Sequence, residues 1–179
     1  MRGNSFSGHE RNRLFLATEG NFEDATLNSG ADFMADGRGF ALLDYNQDGW
    51  VDMAAMCCAK PKLRLLENKF AKLASVQNHK FVQIRLIGGN QGSAQSEWSP
   101  RDAFGATMLV RIGETKRMFT HLCSEGLSSQ NSAWRHIGLG ESAKIDQIEI
   151  TWPSGKKTIE TDIAAGTRLV IFENPKDQK

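Results

Sequence analysis

In the stretch Asp44-x-Asn46-x-Asp48-Gly49-x-x-Asp52, four oxygen-bearing side chains fall at relative positions one, three, five and nine, and the carbonyl of Trp50 falls at seven. Oxygen donors at that density suit a hard cation, and Gly49 permits the sharp turn that would let them converge. Three carboxylates plus an amide oxygen favour calcium over magnesium, which prefers a smaller octahedral shell with several waters. The absence of Cys and His from the loop argues against zinc or copper. The competing expectation is a polar hairpin turn with no ion, since Asp, Asn and Gly are also the ordinary turn residues. Self-repulsion among the carboxylates favours the cation, because no Lys or Arg lies nearer along the chain than Arg38 or Lys60. An EF-hand would need a bidentate Glu at position twelve, which is Ala55 here, and the flanks "GFALL" and "WVDMAAM" are too short and apolar to be its helices. The loop is expected to join two strands, with Asp44, Asn46, Asp48, Trp50 and Asp52 around calcium.

Other groups capable of chemistry are scattered. The histidines are His9, His79, His121 and His136, and "HLCSEG" brings His121, Cys123, Ser124 and Glu125 close in sequence. At a strand end His121 and Cys123 would share one face and Ser124 the other, which does not make a line of base and nucleophile. Neither a Gly-x-Ser-x-Gly elbow, a phosphate loop nor a His-Glu-x-x-His helix occurs. No enzyme is expected. The longest polar loop, "GGNQGSAQSEWSPRDAFGA", offers Trp98 to stack on a sugar ring and Arg101 and Asp102 to bond its hydroxyls; equally, Arg101 and Asp102 could pair with each other while Trp98 covers the edge of a sheet. In "SEGLSSQNSAW", Glu125, Gln130 and Asn131 are candidates for recognition, though such residues more often satisfy their own backbone.

The elements that must position these groups read as strands. The chain has 179 residues, 17 of them Gly and 4 Pro, and its apolar residues sit in short runs divided by turn residues. The runs "NRLFLA", "EGNFEDAT", "ADGRGFALLDYNQDGWVDMAAM" and "KPKLRLLENKF" read as an antiparallel meander resembling one propeller blade. A connector of irregular or helical form follows at Ala71 to His79. Beyond it, Val82, Ile84 and Leu86 alternate with Gln83 and Arg85, and the same period of two recurs at Met108, Val110 and Ile112 and at Ile148, Ile150 and Trp152. "TRLVIFE" supplies a last strand, and "WPSGKKTIE" a turn set by Pro153 and Gly155. The expected fold is all-β: a blade-like meander over residues 1–70 with the calcium loop, a connector at 71–79, and a β-sandwich or barrel over 80–179.

Composition narrows the partners. Lys and Arg number 22 against 21 Asp and Glu, a formal charge of +1, so nothing points to nucleic acid or an anionic membrane. No apolar run approaches the roughly 20 residues of a membrane helix, and the start of the chain lacks the pattern of a signal peptide. Cys57, Cys58 and Cys123 are too few and uneven for a disulfide framework; buried thiols are expected, with a bridge from Cys123 to one of the pair as the alternative in an oxidising compartment.

The stretch "GRGFALLDYNQDGWVDMAAMCCAKPKLRLLENKF" resembles the FG-GAP or VCBS repeat of calcium-binding β-propellers, down to an "LxxN" ending at Leu65 to Asn68. The second half, about Lys80 to Glu173, resembles the ASPIC/UnbV domain that follows such repeats in the cartilage acidic protein-like family and in bacterial secreted proteins. Its marks are "RDAFGATMLVRI", "SEGLSSQNS", "HIGLG" and "IEITWPSGKKTIE". The resemblance implies the C-terminal portion of a longer protein, since one full calcium loop is present where a propeller needs several repeats. It also implies an extracytoplasmic module for binding or adhesion to a glycan or protein ligand. The alternatives are a structural subunit, a homo-oligomer pairing through exposed blade edges, and, behind both, a hydrolase.

Overall fold

The computed structural model describes residues 10–18, 20–73 and 78–177. They form two units. The first takes the chain up to Asn46, then Trp50–Asn68 and Ser124–Asn131; the second takes Gln47–Gly49, Lys69–Cys123 and the chain from Ser132 onward.

In the first unit, β1 (Phe15–Thr18) and β2 (Asn21–Asp24) pair as an antiparallel hairpin. Its turn passes through Gly20 at φ 80°, a conformation that glycine adopts without steric cost. The chain then enters α1 (Thr26–Ser29), a single turn. Its buried Thr26 takes a hydrogen bond from Leu14 N on its hydroxyl and gives its own N–H to Asp24 Oδ1. Gly30, left-handed at φ 70°, ends that turn. β3 (Gly37–Leu43), β4 (Asp52–Cys57) and β5 (Leu63–Leu66) follow as an antiparallel sheet in the order β3-β4-β5. The runs expected to form one meander are therefore split into a two-stranded and a three-stranded sheet. The helical turn between them, tied down by Asp24 and Thr26, leaves a signal too short to stand out in a pattern of alternating residues.

The second unit is a β-sandwich. One sheet has the order β11-β10-β7-β8, built from β7 (Thr107–Ile112), β8 (Thr115–Thr120), β10 (Lys144–Thr151) and β11 (Lys157–Ala164). The other has the order β12-β6-β9, built from β6 (Lys80–Ile87), β9 (Arg135–Gly140) and β12 (Arg168–Phe172). The alternating residues meet as the sequence pattern requires: Val82, Ile84 and Leu86 join Met108, Val110, Ile148, Ile150 and Trp152 in one buried cluster. Fully burying each such side chain contributes roughly 1.5–3 kcal/mol. Trp152 keeps its polar end satisfied, since Nε1 donates to Thr158 Oγ1 at 2.8 Å. Neither sheet closes into a barrel, and the all-β expectation holds.

Two details depart from simple alternation. Strand β12 runs parallel to β6 rather than antiparallel, a pairing that the long intervening chain from β6 to β12 makes available. Gln83, which the pattern places on the solvent side, is buried, and β6 is the central strand of its sheet. In the expected connector, Phe70–Lys72 form a short 3₁₀ turn; residues 74–77, like His9 and the first residues of the chain, lie outside the described residues. Among the described residues, no helix is long and apolar enough to cross a membrane. All three cysteines are thiols, and the expectation that they are buried holds for Cys57 alone: Cys58 follows the end of β4 and Cys123 the end of β8, and both are exposed.

Candidate functional site

The oxygen-rich loop leaves β3 at Leu43 and re-enters the sheet at Asp52, so it joins two antiparallel strands. Asn46 and Asp48 are exposed, Asp44 and Trp50 half-buried. Asp52 differs from the rest at 1% exposure. Its Oδ2 accepts from Tyr45 N at 3.1 Å and its Oδ1 from Asn68 N at 2.7 Å, while the Asn68 side-chain amide donates to Val51 O at 3.1 Å. Asp52 and Asn68 thus form a clasp that joins the start of the loop, the start of β4 and the end of β5. A buried carboxylate that accepts backbone N–H groups in this way satisfies donors that would otherwise be stranded.

This clasp assigns Asp52 a role that ligand spacing alone does not reveal. Among the described residues no group of three or more His, Cys, Asp or Glu side chains is gathered as a metal cluster. The donor chemistry still suits a hard cation, through Asp44, Asn46, Asp48 and the carbonyl of Trp50, with Asp52 fixing the end of the loop. Gly49 has φ 90°, and a Cβ there would lie 1.9 Å from Cε1 of Phe81, so only glycine fits.

The polar loop before β7 is built around a residue that the sequence reading passed over. Glu173, 5% exposed, follows β12. Its Oε2 accepts from Gly89 N at 2.9 Å and Ser99 N at 2.7 Å; its Oε1 accepts from the Ser99 hydroxyl at 3.0 Å and from the Ser154 hydroxyl. Ser154 N in turn donates to Ser99 Oγ. One carboxylate therefore holds the loop after β6, the segment before Pro100, the turn after Trp152 and the end of the last strand. Burial alone pushes the Glu173 carboxyl up, but the bonds from Gly89, Ser154 and Ser99 outweigh it and hold the group below its ordinary range.

Trp98 sits beside this hub. Lys156 Nζ lies 4.4 Å from the indole centroid and pairs with Glu97 Oε2 at 3.1 Å, and a Cβ at Gly89 would meet the indole at 2.8 Å. The ring is occupied by an ammonium group and by backbone, which stiffens the loop. Arg101 and Asp102 face each other, Nε to Oδ1 at 3.0 Å and Nη2 to Oδ2 at 3.3 Å. The guanidinium holds the Asp102 carboxyl below the usual carboxylate range. His121 is buried, its Nε2 3.1 Å from Asp102 O and its ring stacked on Phe104.

Glu125, Gln130 and Asn131 belong to the first unit, whereas Trp98, Arg101 and Asp102 belong to the second. Asn131 Nδ2 donates to Glu125 Oε2 at 2.8 Å and its Oδ1 accepts from Leu42 N, which ties the segment to β3; Gln130 is exposed. The sequence missed Glu173, Lys156, Ser154 and Asn68 as organisers because each acts through a partner far along the chain. The signal that could have found one of them is the "LxxN" ending, whose Asn68 completes the clasp.

No curated protein matches the chain. Residues 96–178, which run from the loop carrying Trp98 past the last strand of the sandwich, match the family described as ASPIC and UnbV.

Proposed function

We propose that this chain is a non-enzymatic, extracytoplasmic binding module in which calcium, held by Asp44, Asn46, Asp48 and the Trp50 carbonyl, stiffens an FG-GAP-like β3-β4-β5 sheet in a chain that also carries an ASPIC/UnbV sandwich. The observation that carries the calcium reading is the clasp at Asp52. It anchors the loop at both ends, through Tyr45 and Asn68, and so reduces the ordering cost of closing the four oxygen donors around an ion. The ASPIC and UnbV match supports an extracellular type of module. A site of oxygen donors with a dissociation constant of about 10⁻⁴ to 10⁻³ M would fill at extracellular calcium levels.

The non-enzymatic reading is supported by where the acidic groups are engaged. Glu173 binds backbone and serine donors, Asp102 binds Arg101, Glu97 binds Lys156, and Glu125 binds Asn131. A glycan or protein is the ligand class proposed for this module.

Thermal melts in EDTA and in millimolar calcium test the cation. At a free concentration about one to ten times that dissociation constant, binding stabilises by roughly 0.4–1.4 kcal/mol. For a chain of this size that is a rise of about 1–6 °C. Asp48→Ala removes a proposed ligand outside the clasp and should abolish the rise; an unchanged melt in both proteins refutes the calcium reading.

A second reading, self-assembly through strand edges, is favoured by β5, which ends its sheet and exposes Leu63 and Leu65. The β1–β2 hairpin adds exposed Phe15 and Phe22. Sedimentation velocity over a hundredfold range of concentration separates the two, since a constant monomer excludes assembly.

A further inference from the structure

The register of the first unit fixes which backbone groups its sheet edges leave open. Ala25 N donates to Leu14 O at 2.9 Å, so these two face each other as a hydrogen-bonded pair at the base of the β1–β2 hairpin. Bonded and non-bonded pairs alternate along an antiparallel ladder, which turns the N–H and C=O of Phe22 and Asp24 away from β1. On β5, Cys57 N donates to Lys62 O at 2.8 Å, and the same alternation turns the N–H and C=O of Leu63 and Leu65 away from β4. Among the described residues neither β2 nor β5 has a second neighbouring strand. The side chains are uncovered as well. Every residue of β1 and β2 is exposed, Phe22 at 76%, and a two-stranded hairpin with no buried face has little stability of its own in water. Leu63 and Leu65 are 63% and 49% exposed. Open apolar edges of this kind are templates for a further strand.

Charge decides which strand. The β5 edge is basic, with Arg64 in the strand and exposed Lys60 and Lys62 before it, whereas β2 carries Glu23 and Asp24. Arg64 lies over the Phe33 ring at 4.5 Å and its Nε has no hydrogen-bond partner; among the described residues it pairs with no carboxylate, and Glu23 pairs with no cation. If β5 met β5 of a second copy in the antiparallel register that uses both outward residues, Leu63 would oppose Leu65 and Arg64 would oppose Arg64. If β2 met β2 in the same way, Glu23 would oppose Glu23. Like charges directly opposite each other destabilise a strand pair, and opposite charges stabilise it.

We propose that β2 of one copy pairs antiparallel with β5 of another, Phe22 opposite Leu65, Asp24 opposite Leu63 and Glu23 opposite Arg64. All the outward backbone groups of the two edges then meet, Phe22 packs beside Leu65, and Asp24, held by Arg13 in its own hairpin, takes part through its backbone. The edges differ, so the contact is head-to-tail, with each copy offering both. This rests on the self-assembly reading above and names the strands that it uses.

The full chain is followed by sedimentation velocity and by amide hydrogen exchange at the two ends of a hundredfold range of concentration. Association is expected at the high end, with exchange at Phe22, Asp24, Leu63 and Leu65 slowed by about tenfold or more. Glu23→Arg should weaken association by about fivefold to tenfold, and adding Arg64→Glu should restore it to within about threefold of the wild type. Glu23 lies on the exposed hairpin, so Glu23→Arg tests the charge whatever Arg64→Glu does to the packing on Phe33. Association that leaves those four amides unchanged, or that Glu23→Arg does not weaken, overturns this pairing and leaves self-assembly standing. A constant monomer overturns both.

Discussion

Replacing Glu173 with alanine removes one buried carboxylate and strands every donor it serves. Those donors are the backbone N–H groups of Gly89 and Ser99 and the hydroxyls of Ser99 and Ser154. Each buried donor left without an acceptor costs about 1–3 kcal/mol, and hydroxyls can turn to another partner more easily than backbone N–H groups can. Two stranded backbone N–H groups with partial relief at the serines come to about 3–5 kcal/mol, the range found when one partner of a buried charged pair is removed. Urea denaturation followed by tryptophan fluorescence measures it, since Trp98 and Trp152 are close in sequence to Ser99 and Ser154 of the network. Glu173→Gln keeps the shape and one acceptor oxygen and should lose less, about 1.5–3 kcal/mol. The pH dependence gives an independent check. The folded carboxyl is held below its ordinary value of 4.5, so its stabilisation is complete above that value and is lost as pH falls through the lower folded pKa. The wild type should therefore lose stability more steeply than Glu173→Gln in the acid range below about pH 4.5. A loss under about 0.5 kcal/mol for Glu173→Ala, or parallel pH curves for wild type and Glu173→Gln, refutes the view that this carboxylate organises the loops.

Asp52→Ala should destabilise the chain by about 2–4 kcal/mol in EDTA as well as in calcium, because the lost bonds are to Tyr45 N and Asn68 N rather than to an ion. Faster amide exchange at Tyr45 and Asn68 checks it, and a loss that appears only in calcium would instead make Asp52 a ligand. Gly49→Ala meets both an unfavourable φ of 90° and the Phe81 ring, so it should cost more than about 3 kcal/mol. Adding Phe81→Ala should restore the steric part alone, and a double-mutant cycle with no coupling between the two changes would refute the contact.

The strands, the sandwich core and the strand-to-strand loop could be read from the chain because each depends on local order. A period of two at Val82, Ile84 and Leu86 places those residues on one face wherever the strand is put, and Asp, Asn and Gly between two apolar runs demand a turn. Tertiary structure alone decided what the polar residues do. Glu173 reaches Ser99 and Gly89 only because β12 lies parallel to β6, a pairing between strands about 80 residues apart that no local pattern encodes. Trp98 lost its place as an open platform when Lys156, from the turn after β10, settled over its ring. Asp52 shows the same division: its spacing marked it as an oxygen donor, and the return of Asn68 at the end of β5 turned that donor toward the backbone. Periodicity and turn chemistry act over a few residues and survive in the sequence, whereas the partner of a buried polar group is chosen by which distant segments the packed core brings within hydrogen-bond reach.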